Sequence, residues 1–492
     1  MAHFCENFIA GNWSPPKSDK RFERENPATG ETIGSFPGSG PDDVADAVTA
    51  AAEAYPGWRT TPAPRRAEIL FRAAEMMLAR KEELSRDVTI EMGKVLKEAR
   101  GDVQEAIDMI YFVAGEGRRM FGQVVPSELP NKFAMAVRQP HGVIAAITPW
   151  NFPAAIPCWK LMPALIAGNT AVFKPSPYSP LSAFNLVRIL EESGLPSGVV
   201  NLVFGEDEAG AALVRDPRVT MVSFTGSLEV GREIASYCGA AGKRVHLEMG
   251  GKNAIIVLDD ADVDLAIEGA VWSAFGTSGQ RCTAASRMIV HNRVLDGFTR
   301  KLVSRAGSLR LGDGLDEATE VGPVVNRLAL EKIQGYMEIG RKEGALVAVG
   351  GARAAGNGLD RGYFFQPTVF TDVRPGMRIA QEEIFGPVTD VIPCSDLDEA
   401  VAINNDVPYG LVASIYTRDV SRAFKAMEQI STGIVYINAG TIGAEVQLPF
   451  GGTRGTGNGH REAGTAALDS YSEWKTVYID YSGRLQKAQI DR

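Results

Sequence analysis

Cysteine is scarce: five residues in 492, an odd number without paired spacing. That excludes a disulfide framework of the kind that staples small secreted domains and reads as reduced thiols of a cytoplasmic protein. Histidine is equally scarce, and His3, His141, His246, His291 and His460 are scattered without metal-ligand spacing, so no metal site is expected. Positive charge is not in excess either. The net charge of −9 gives no reason to expect nucleic acid or an anionic membrane as partner. There is no tandem repeat or low-complexity tract. The start, Met1-Ala-His-Phe-Cys-Glu6, has no basic region followed by an apolar run, so no secretory signal is expected. Residues 139–159 carry no charged side chain apart from His141 when protonated, which is long enough for a membrane span. Pro149, Pro153 and Pro157 interrupt that run and Asn151 sits among them, so strand, turn and buried helix explain it better. The dinucleotide fingerprint Gly-x-Gly-x-x-Gly occurs nowhere, which counts against an ordinary Rossmann dehydrogenase.

What remains is an ordinary soluble composition, 45% hydrophobic and 23% charged, in a chain too long for one hydrophobic core. Two or three subdomains are expected. The first third reads as helical: Pro41-Asp-Asp-Val opens a helix with acidic residues at the positive end of its dipole. Ile69, Ala73, Met76 and Met77, and again Val103, Ile107 and Ile110, repeat at helical spacing as core stripes. From 142 to 258 strands alternate with helices, at Val143–Ile147, Thr170–Phe173, Val199–Val203, Val219–Phe224 and Ala254–Leu258. That alternation predicts parallel βαβ units in a doubly wound sheet. Residues 259–435 repeat an α/β pattern and read as a second domain. The fold class is therefore α/β, with two doubly wound parallel domains. Two short strand candidates, Lys132–Arg138 and Trp474–Tyr481, belong to neither.

Against this background one thiol stands out. Cys282 lies in Phe275-Gly-Thr-Ser-Gly-Gln-Arg-Cys282, downstream of the carboxylate in Leu247-Glu-Met-Gly-Gly251. Both are bracketed by glycines and small residues. A thiolate attacks an aldehyde carbon, and a nearby carboxylate activates the water that later hydrolyses the thioester. Cys158, Cys238 and Cys394 lack such company and read as small buried hydrophobes. A second signal is Phe224-Thr-Gly-Ser-Leu-Glu-Val-Gly231, which follows a predicted strand and opens a helix. Gly226 permits close backbone approach, and the helix N-terminus offers N–H groups to a pyrophosphate. The glycine cluster Gly451–Gly459 follows no clear strand and is discounted as a phosphate loop.

The chain resembles the NAD(P)-dependent aldehyde dehydrogenase superfamily over nearly its whole length. Pro149-Trp-Asn-Phe-Pro153, Phe173-Lys-Pro175, Ser223-Phe-Thr-Gly-Ser227, Leu247-Glu-Met-Gly-Gly251, Gly279-Gln-Arg-Cys282, Glu382-Glu-Ile-Phe-Gly-Pro387 and Leu448-Pro-Phe-Gly-Gly452 match in the family's order. The resemblance implies Cys282 as nucleophile, Glu248 as general base and Asn151 as oxyanion donor together with the Cys282 N–H. It implies a cofactor cleft of Trp150, Lys174, Pro177, Gly226, Ser227, Gly231, Glu383 and Phe385, with Lys174 at the adenosine ribose and Glu383 and Phe385 at the nicotinamide ribose. Members that prefer NAD often carry glutamate where Pro177 stands. Without that repulsion of a 2′-phosphate, NADP is expected to be accepted beside NAD. Glu248 favours hydrolysis to a free acid over transfer to coenzyme A.

For the substrate, the resemblance is nearest to the α-aminoadipate semialdehyde branch. That branch shares the Val-Gln-Glu motif ending at Glu105, arginine before the cysteine (Arg281), and the loop Gly443-Ala-Glu445. It implies an aldehyde bearing a carboxylate held by Arg281, with Glu105 facing an ammonium. The 2-oxoglutarate or succinate semialdehyde dehydrogenases are the alternative, followed by a broad aliphatic or aromatic aldehyde dehydrogenase and an inactive structural relative. Phe152, Trp159, Thr283, Gly443 and Ala444 complete the expected substrate pocket. The resemblance further implies a cofactor domain of residues 1–131 and 142–258, a catalytic domain of 259–435 and a substrate-anchoring and return loop of 436–465. Residues 132–141 and 466–492 would form an oligomerisation segment joining a homodimer or homotetramer.

Overall fold

The computed structural model describes residues 3–490. Strands buried on both faces need apolar side chains throughout, and Val143–Ile147, Thr170–Lys174 and Asn253–Val257 have every residue buried. They form the middles of two seven-stranded sheets. In the first, Arg244–Glu248, Val219–Thr225, Val143–Ile147, Thr170–Lys174 and Val200–Leu202 run parallel in that spatial order. A short antiparallel hairpin, Asn7–Ile9 and Asn12–Ser14, closes one edge. In the second the order is Leu346–Val349, Thr368–Thr371, Val388–Cys394, Ala285–His291, Asn253–Val257, Val412–Tyr416 and Ile434–Ile437. All but the first pair of neighbours are parallel. Two doubly wound sheets are thus present, as the alternation predicted.

The division between them falls earlier than expected. The strand placed with the cofactor domain at Ala254–Leu258 spans Asn253–Val257 and sits inside the second sheet, between Ala285–His291 and Val412–Tyr416. The missed strand Arg244–Glu248 ends the first sheet instead. The chain crosses between sheets at Gly250-Gly251. A Cβ on Gly250 would stand 2.2 Å from a Glu383 carboxylate oxygen, and one on Gly251 would stand 2.7 Å from the Cys282 carbonyl oxygen.

The uncharged run resolves into the strand Val143–Ile147, a loop, and the helix Ala155–Ala167, all of whose residues are buried. That helix packs on Leu96–Glu116, from the helical first third (Pro41–Thr60, Ala63–Ala79, Lys81–Met92 and Leu96–Glu116). Among the described residues no helix is long and apolar enough to cross a membrane. The two unassigned strands pair with each other. Lys132–Pro140 runs antiparallel to Ser472–Asp480 over nine residues, and Gln123–Pro126, unforeseen in the sequence, lies on the other side. The first two residues of the chain and the last two of the 466–492 segment lie outside the described residues.

The second sheet carries its own buried charge. Arg287 donates to the carbonyls of Lys252 (2.9 Å), Ile403 (2.9 Å) and Asn404 (3.2 Å), and it lies beside Asp390 on the neighbouring strand. Lys252 stands 3.7 Å from the Asp390 carboxylate, and all three side chains are inaccessible or nearly so. Removing one member of such a group leaves the others uncompensated in a poor dielectric. Asp390→Ala is therefore expected to destabilise the protein by about 3–5 kcal/mol. Urea unfolding checks this, and an unchanged midpoint would contradict it.

Candidate active site

Cys282 follows a tight turn, Gly276–Gly279, in which Thr277 and Ser278 take left-handed backbone angles (φ 52° and 55°) and Gly279 has φ 70°. A Cβ on Gly279 would fall 1.9 Å from the Gly386 carbonyl oxygen, so only glycine fits. Glu98 fixes this turn by accepting from the Thr277 N–H at 2.9 Å, and the Ser278 hydroxyl donates to the Gly322 carbonyl at 2.7 Å. Beyond the thiol, the Asn253 amide donates to the carbonyls of Cys282 (2.7 Å) and Ala284 (2.9 Å). The nucleophile loop is thereby pinned to the start of the second sheet. Asn151 is buried and donates to the Gln280 carbonyl at 3.0 Å, which brings the loop after Val143–Ile147 against the Cys282 loop. Burial pushes the Cys282 thiol up to about 12, and the nearby carboxyls of Glu248, Glu383 and Glu105 add to the effect.

Glu248 ends the edge strand of the first sheet and is 3% exposed. Neither carboxylate oxygen has a hydrogen bond of normal geometry, and the Gly452 N–H offers weak backbone support. Burial, then the neighbouring Glu462, raise its pKa well above the usual carboxylate range, while Lys160 and Arg461 oppose them. Lys160 is wholly buried, pairs with Glu462 and donates to the Ser223 hydroxyl at 3.2 Å. The discounted glycine cluster has its use here. A Cβ on Gly451 would lie 2.6 Å from a Glu248 oxygen, so the loop is bare where the carboxylate rests.

The cofactor candidates gather where the strand order of the first sheet reverses, between Val143–Ile147 and Val219–Thr225, the usual place for a ligand crevice in such sheets. Gly226 donates its N–H to the Glu248 carbonyl at 3.0 Å. Ser227 caps the helix Leu228–Ala241 by accepting from the Val230 N–H. The earlier N–H groups of that turn lie outside the helix's own ladder and suit a phosphate. Gly231 is required by packing, since its Cβ would meet the Met249 sulfur at 2.3 Å. Lys174 is buried, and its ammonium is pushed down to about 8 by burial against the opposing charges of Asp207 and Glu206. Pro177, three residues on, is half-buried and brings no charge. Glu383 accepts from the Gly251 N–H at 3.0 Å. Phe385, held at φ 60°, meets the Trp150 ring edge-on at 5.5 Å. A helix N-terminus, a buried ammonium and a carboxylate are the chemistry that suits a dinucleotide.

On the other side of the thiol lies a buried charge cluster. Arg281 donates from Nε to the Thr277 hydroxyl at 2.8 Å and stands 3.4 Å from Glu98. Its guanidinium lies 5.1 Å from the ring centres of both Phe152 and Trp272. Lys94 pairs with Asp102 at 3.0 Å and sits over the other ring contact of Phe152 at 3.8 Å. Arg281 is therefore a buried cation, not a surface ion pair. Glu105 has no hydrogen-bond partner given by this cluster. Burial, then Asp102, push its carboxyl up to about 8 against the pull of Arg281 and Lys94. Tyr436 feels both Glu105 and Glu445, which brings the loop of Gly443 and Ala444 to this end of the site. Gly443 is exposed with φ 129°, and Ala444 packs on the core. Thr283 contributes its carbonyl to the Thr441 hydroxyl at 2.7 Å. Trp159 is 4% exposed and packs edge-on against Phe450 at 4.8 Å, on the Lys160 side.

The profile of the aldehyde dehydrogenase family matches residues 13–477. The chain belongs to that family. It is 41% identical over 475 residues to an alpha-ketoglutaric semialdehyde dehydrogenase of Bacillus subtilis, covering 96% of this chain and 97% of that protein. It is 43% identical over 484 residues to an alpha-ketoglutarate semialdehyde dehydrogenase of Haloferax volcanii, covering 98% and 100%. Among solved structures, a betaine aldehyde dehydrogenase from Staphylococcus aureus in complex with NAD+ superposes with a TM-score of 0.95 at 34% identity, covering 98% of this chain and 96% of that one. This aldehyde dehydrogenase is accordingly an oxidoreductase that uses NAD(P).

Several residues of the site escaped the sequence reading. Lys160 was visible in principle, because it is the charge that ends the uncharged run and sits in a wholly buried helix. Glu462, Asn253 and Glu98 gave no local signal, since each matters through a partner far along the chain, and His246, Lys94 and Asp102 carried no pattern that marks them as buried. Among the described residues no cluster could hold a metal ion. Because the resting thiol is pushed up to about 12, its thiolate fraction is small throughout the neutral range. Alkylation of Cys282 in the cofactor-free enzyme is expected to quicken by about tenfold per pH unit from 7 to 10. A plateau below pH 9, read by peptide mass spectrometry, would contradict the raised pKa.

Proposed function

We propose that this aldehyde dehydrogenase oxidises a carboxylate-bearing semialdehyde, with 2-oxoglutarate semialdehyde first among them, to the free acid. The observation that carries the reading is Arg281, a buried guanidinium one residue before Cys282 with a proton-holding Glu105 beside it. Arg281 meets Glu98 at only 3.4 Å, so a substrate carboxylate competes well for its terminal nitrogens. A carboxyl that keeps its proton to about pH 8 donates a hydrogen bond. A 2-oxo oxygen accepts such a bond, whereas an ammonium group does not. The α-aminoadipate semialdehyde reading therefore yields to its alternative, in agreement with what the Bacillus and Haloferax relatives are named for.

The chemistry follows from the placement of each group. The Cys282 thiol gives its proton to water as its sulfur attacks the aldehyde carbon, and the alkoxide receives the Asn151 amide and the Cys282 N–H, each donor worth roughly 3 kcal/mol. Asn151, already oriented by the Gln280 carbonyl, has a second amide hydrogen for this purpose. Lys174, Ser227 and Glu383 would hold NAD(P), which would supply the hydride acceptor. Glu248 then takes a proton from water, whose oxygen adds to the thioester, and Cys282 leaves as thiolate. The acyl group is thus released as a free acid.

Pro177 leaves a 2′-phosphate unopposed at that position, and Lys174 offers it a cation, so both cofactors are expected to serve. The surface strands support a homo-oligomer. Ser472–Asp480 is a sheet edge, and Trp474, Tyr478, Ile479 and Tyr481 are exposed on it or just beyond. Light scattering is expected to give a mass of two or four chains; a monomer of 52.9 kDa would contradict this.

Steady-state rates with 2-oxoglutarate, aminoadipate, succinate and glutarate semialdehydes, propanal and benzaldehyde, each with NAD and NADP, test the substrate reading. The highest kcat/KM is expected for 2-oxoglutarate semialdehyde. Arg281→Ala should raise KM for the carboxylated substrates by about tenfold or more while sparing propanal, the loss of a charge-assisted pair. Equal effects on both would overturn the Arg281 assignment.

A further inference from the structure

As general base Glu248 gains a proton from water in each turnover and must pass it on before the next. We infer that His246 and His460 form a proton outlet that carries the proton taken from the hydrolytic water out to the surface. The inference rests on the reading of Glu248 as general base. His246 lies two residues before Glu248 on the edge strand Arg244–Glu248, so both side chains leave the same face of the sheet. Its Nε2 is 3.8 Å from a Glu248 oxygen. The ring is fully buried, yet neither nitrogen has a hydrogen-bond partner. Buried polar atoms are paired in the great majority of cases, and here the unpaired imidazole faces an unpaired carboxylate. The His460 ring lies 5.4 Å away, centre to centre, and His460 is exposed.

The other groups around Glu248 form a closed set. Lys160, Glu462 and Tyr471 are each 2% exposed or less. Lys160 is committed to Glu462 and Ser223, and Tyr471 shares a 2.8 Å hydrogen bond with Ser223. Arg461 does not release a proton. Of the titratable residues in this cluster, only His460 both reaches solvent and exchanges a proton near neutral pH. Burial, Lys160, His460 and Arg461 all keep His246 neutral, with its pKa well below the ordinary histidine value. A neutral imidazole accepts at one nitrogen and donates at the other, which is the competence a relay requires.

The proton balance is simple. The water O–H bond breaks toward Glu248, the hydroxide oxygen bonds to the thioester carbon, and the carbon–sulfur bond breaks to the Cys282 thiolate. Glu248 passes its proton to His246 Nε2 as the Nδ1–H proton passes to His460 and then to solvent. No electron enters or leaves the relay. His246 acts through Glu248 and touches no reacting atom, so it is a positioning and relay residue.

The test is a rapid-mixing measurement of NAD(P)H formation, with steady-state rates from pH 6 to 9, on His246→Gln, His460→Gln and Glu248→Gln beside the natural enzyme. Glutamine keeps a polar side chain of similar size but does not titrate. His246→Gln is expected to keep the first turnover of hydride transfer and the KM. Its steady-state rate should fall roughly tenfold, a modest general acid–base effect, so that a burst of NAD(P)H appears, and added imidazole should restore part of the rate. An unchanged steady-state rate, or an equal loss of the burst and the steady state, would overturn the outlet. Should His246→Gln fail to fold, the exposed His460→Gln decides. Slowed turnover behind an intact burst supports the relay, and a natural pH profile overturns it. Glu248→Gln separates the two levels. If it turns over normally, Glu248 is not the base and the outlet falls with that reading. If it stalls after the burst while both histidine variants do not, the outlet alone falls.

Discussion

The geometry of this enzyme depends on a backbone crossing too tight for any side chain. Glu248 ends the first sheet, Asn253 begins an inner strand of the second, and the chain passes between them at Gly250-Gly251. There the Glu383 carboxylate rests on the Gly251 N–H, and the Cys282 carbonyl comes within 2.7 Å of where a Gly251 Cβ would be. Base, nucleophile and cofactor-side carboxylate therefore meet at one short stretch of chain although they lie far apart in sequence. The Asn253 amide, holding the Cys282 and Ala284 carbonyls, carries that constraint into the catalytic loop. Displacing this crossing would move every reacting group at once.

Around that crossing the protein buries charge on both sides of the thiol. Behind Glu248 are Lys160, Glu462, His246 and Arg461; on the substrate side are Arg281, Lys94, Asp102, Glu98 and Glu105. The same low dielectric raises the pKa of the thiol and of both flanking carboxyls. Such a site cannot run on isolated side chains. The cationic partners fix which proton sits where, and the glycine loop at Gly451 leaves space for the carboxylate.

The sequence made the middle strands of both sheets legible, because strands buried on both faces read as continuous apolar runs. Val143–Ile147 ends where the apolar pattern does. The edge strand Arg244–Glu248 was missed because Arg244 and His246 break that pattern, and the strand at Asn253–Val257 was assigned to the wrong sheet as a result. Cys282 and Glu248 stood out by their small and glycine neighbours, features that a tight turn imposes locally, and Asn151 by the resemblance of its Pro-Trp-Asn-Phe-Pro run. Partners such as Glu98, Asp102 and Glu462 were invisible for the opposite reason. A lone carboxylate, on a helix like Glu98 and Asp102 or in a loop like Glu462, looks solvated until the fold brings Thr277, Lys94 or Lys160 against it. Arg281 fell between these cases. Its position beside the nucleophile was readable, but not that Phe152 and Trp272 flank it and Glu98 holds it.

The central claim is that the acyl group passes through a covalent bond to Cys282 and awaits Glu248 for release. The most direct measurement is the mass of the Cys282 peptide from Glu248→Gln enzyme quenched in acid after mixing with NAD and 2-oxoglutarate semialdehyde. The account predicts a thioester adduct of the substrate's acyl mass on Cys282 and on no other cysteine. An unmodified Cys282 in enzyme that has formed one equivalent of NADH would contradict it.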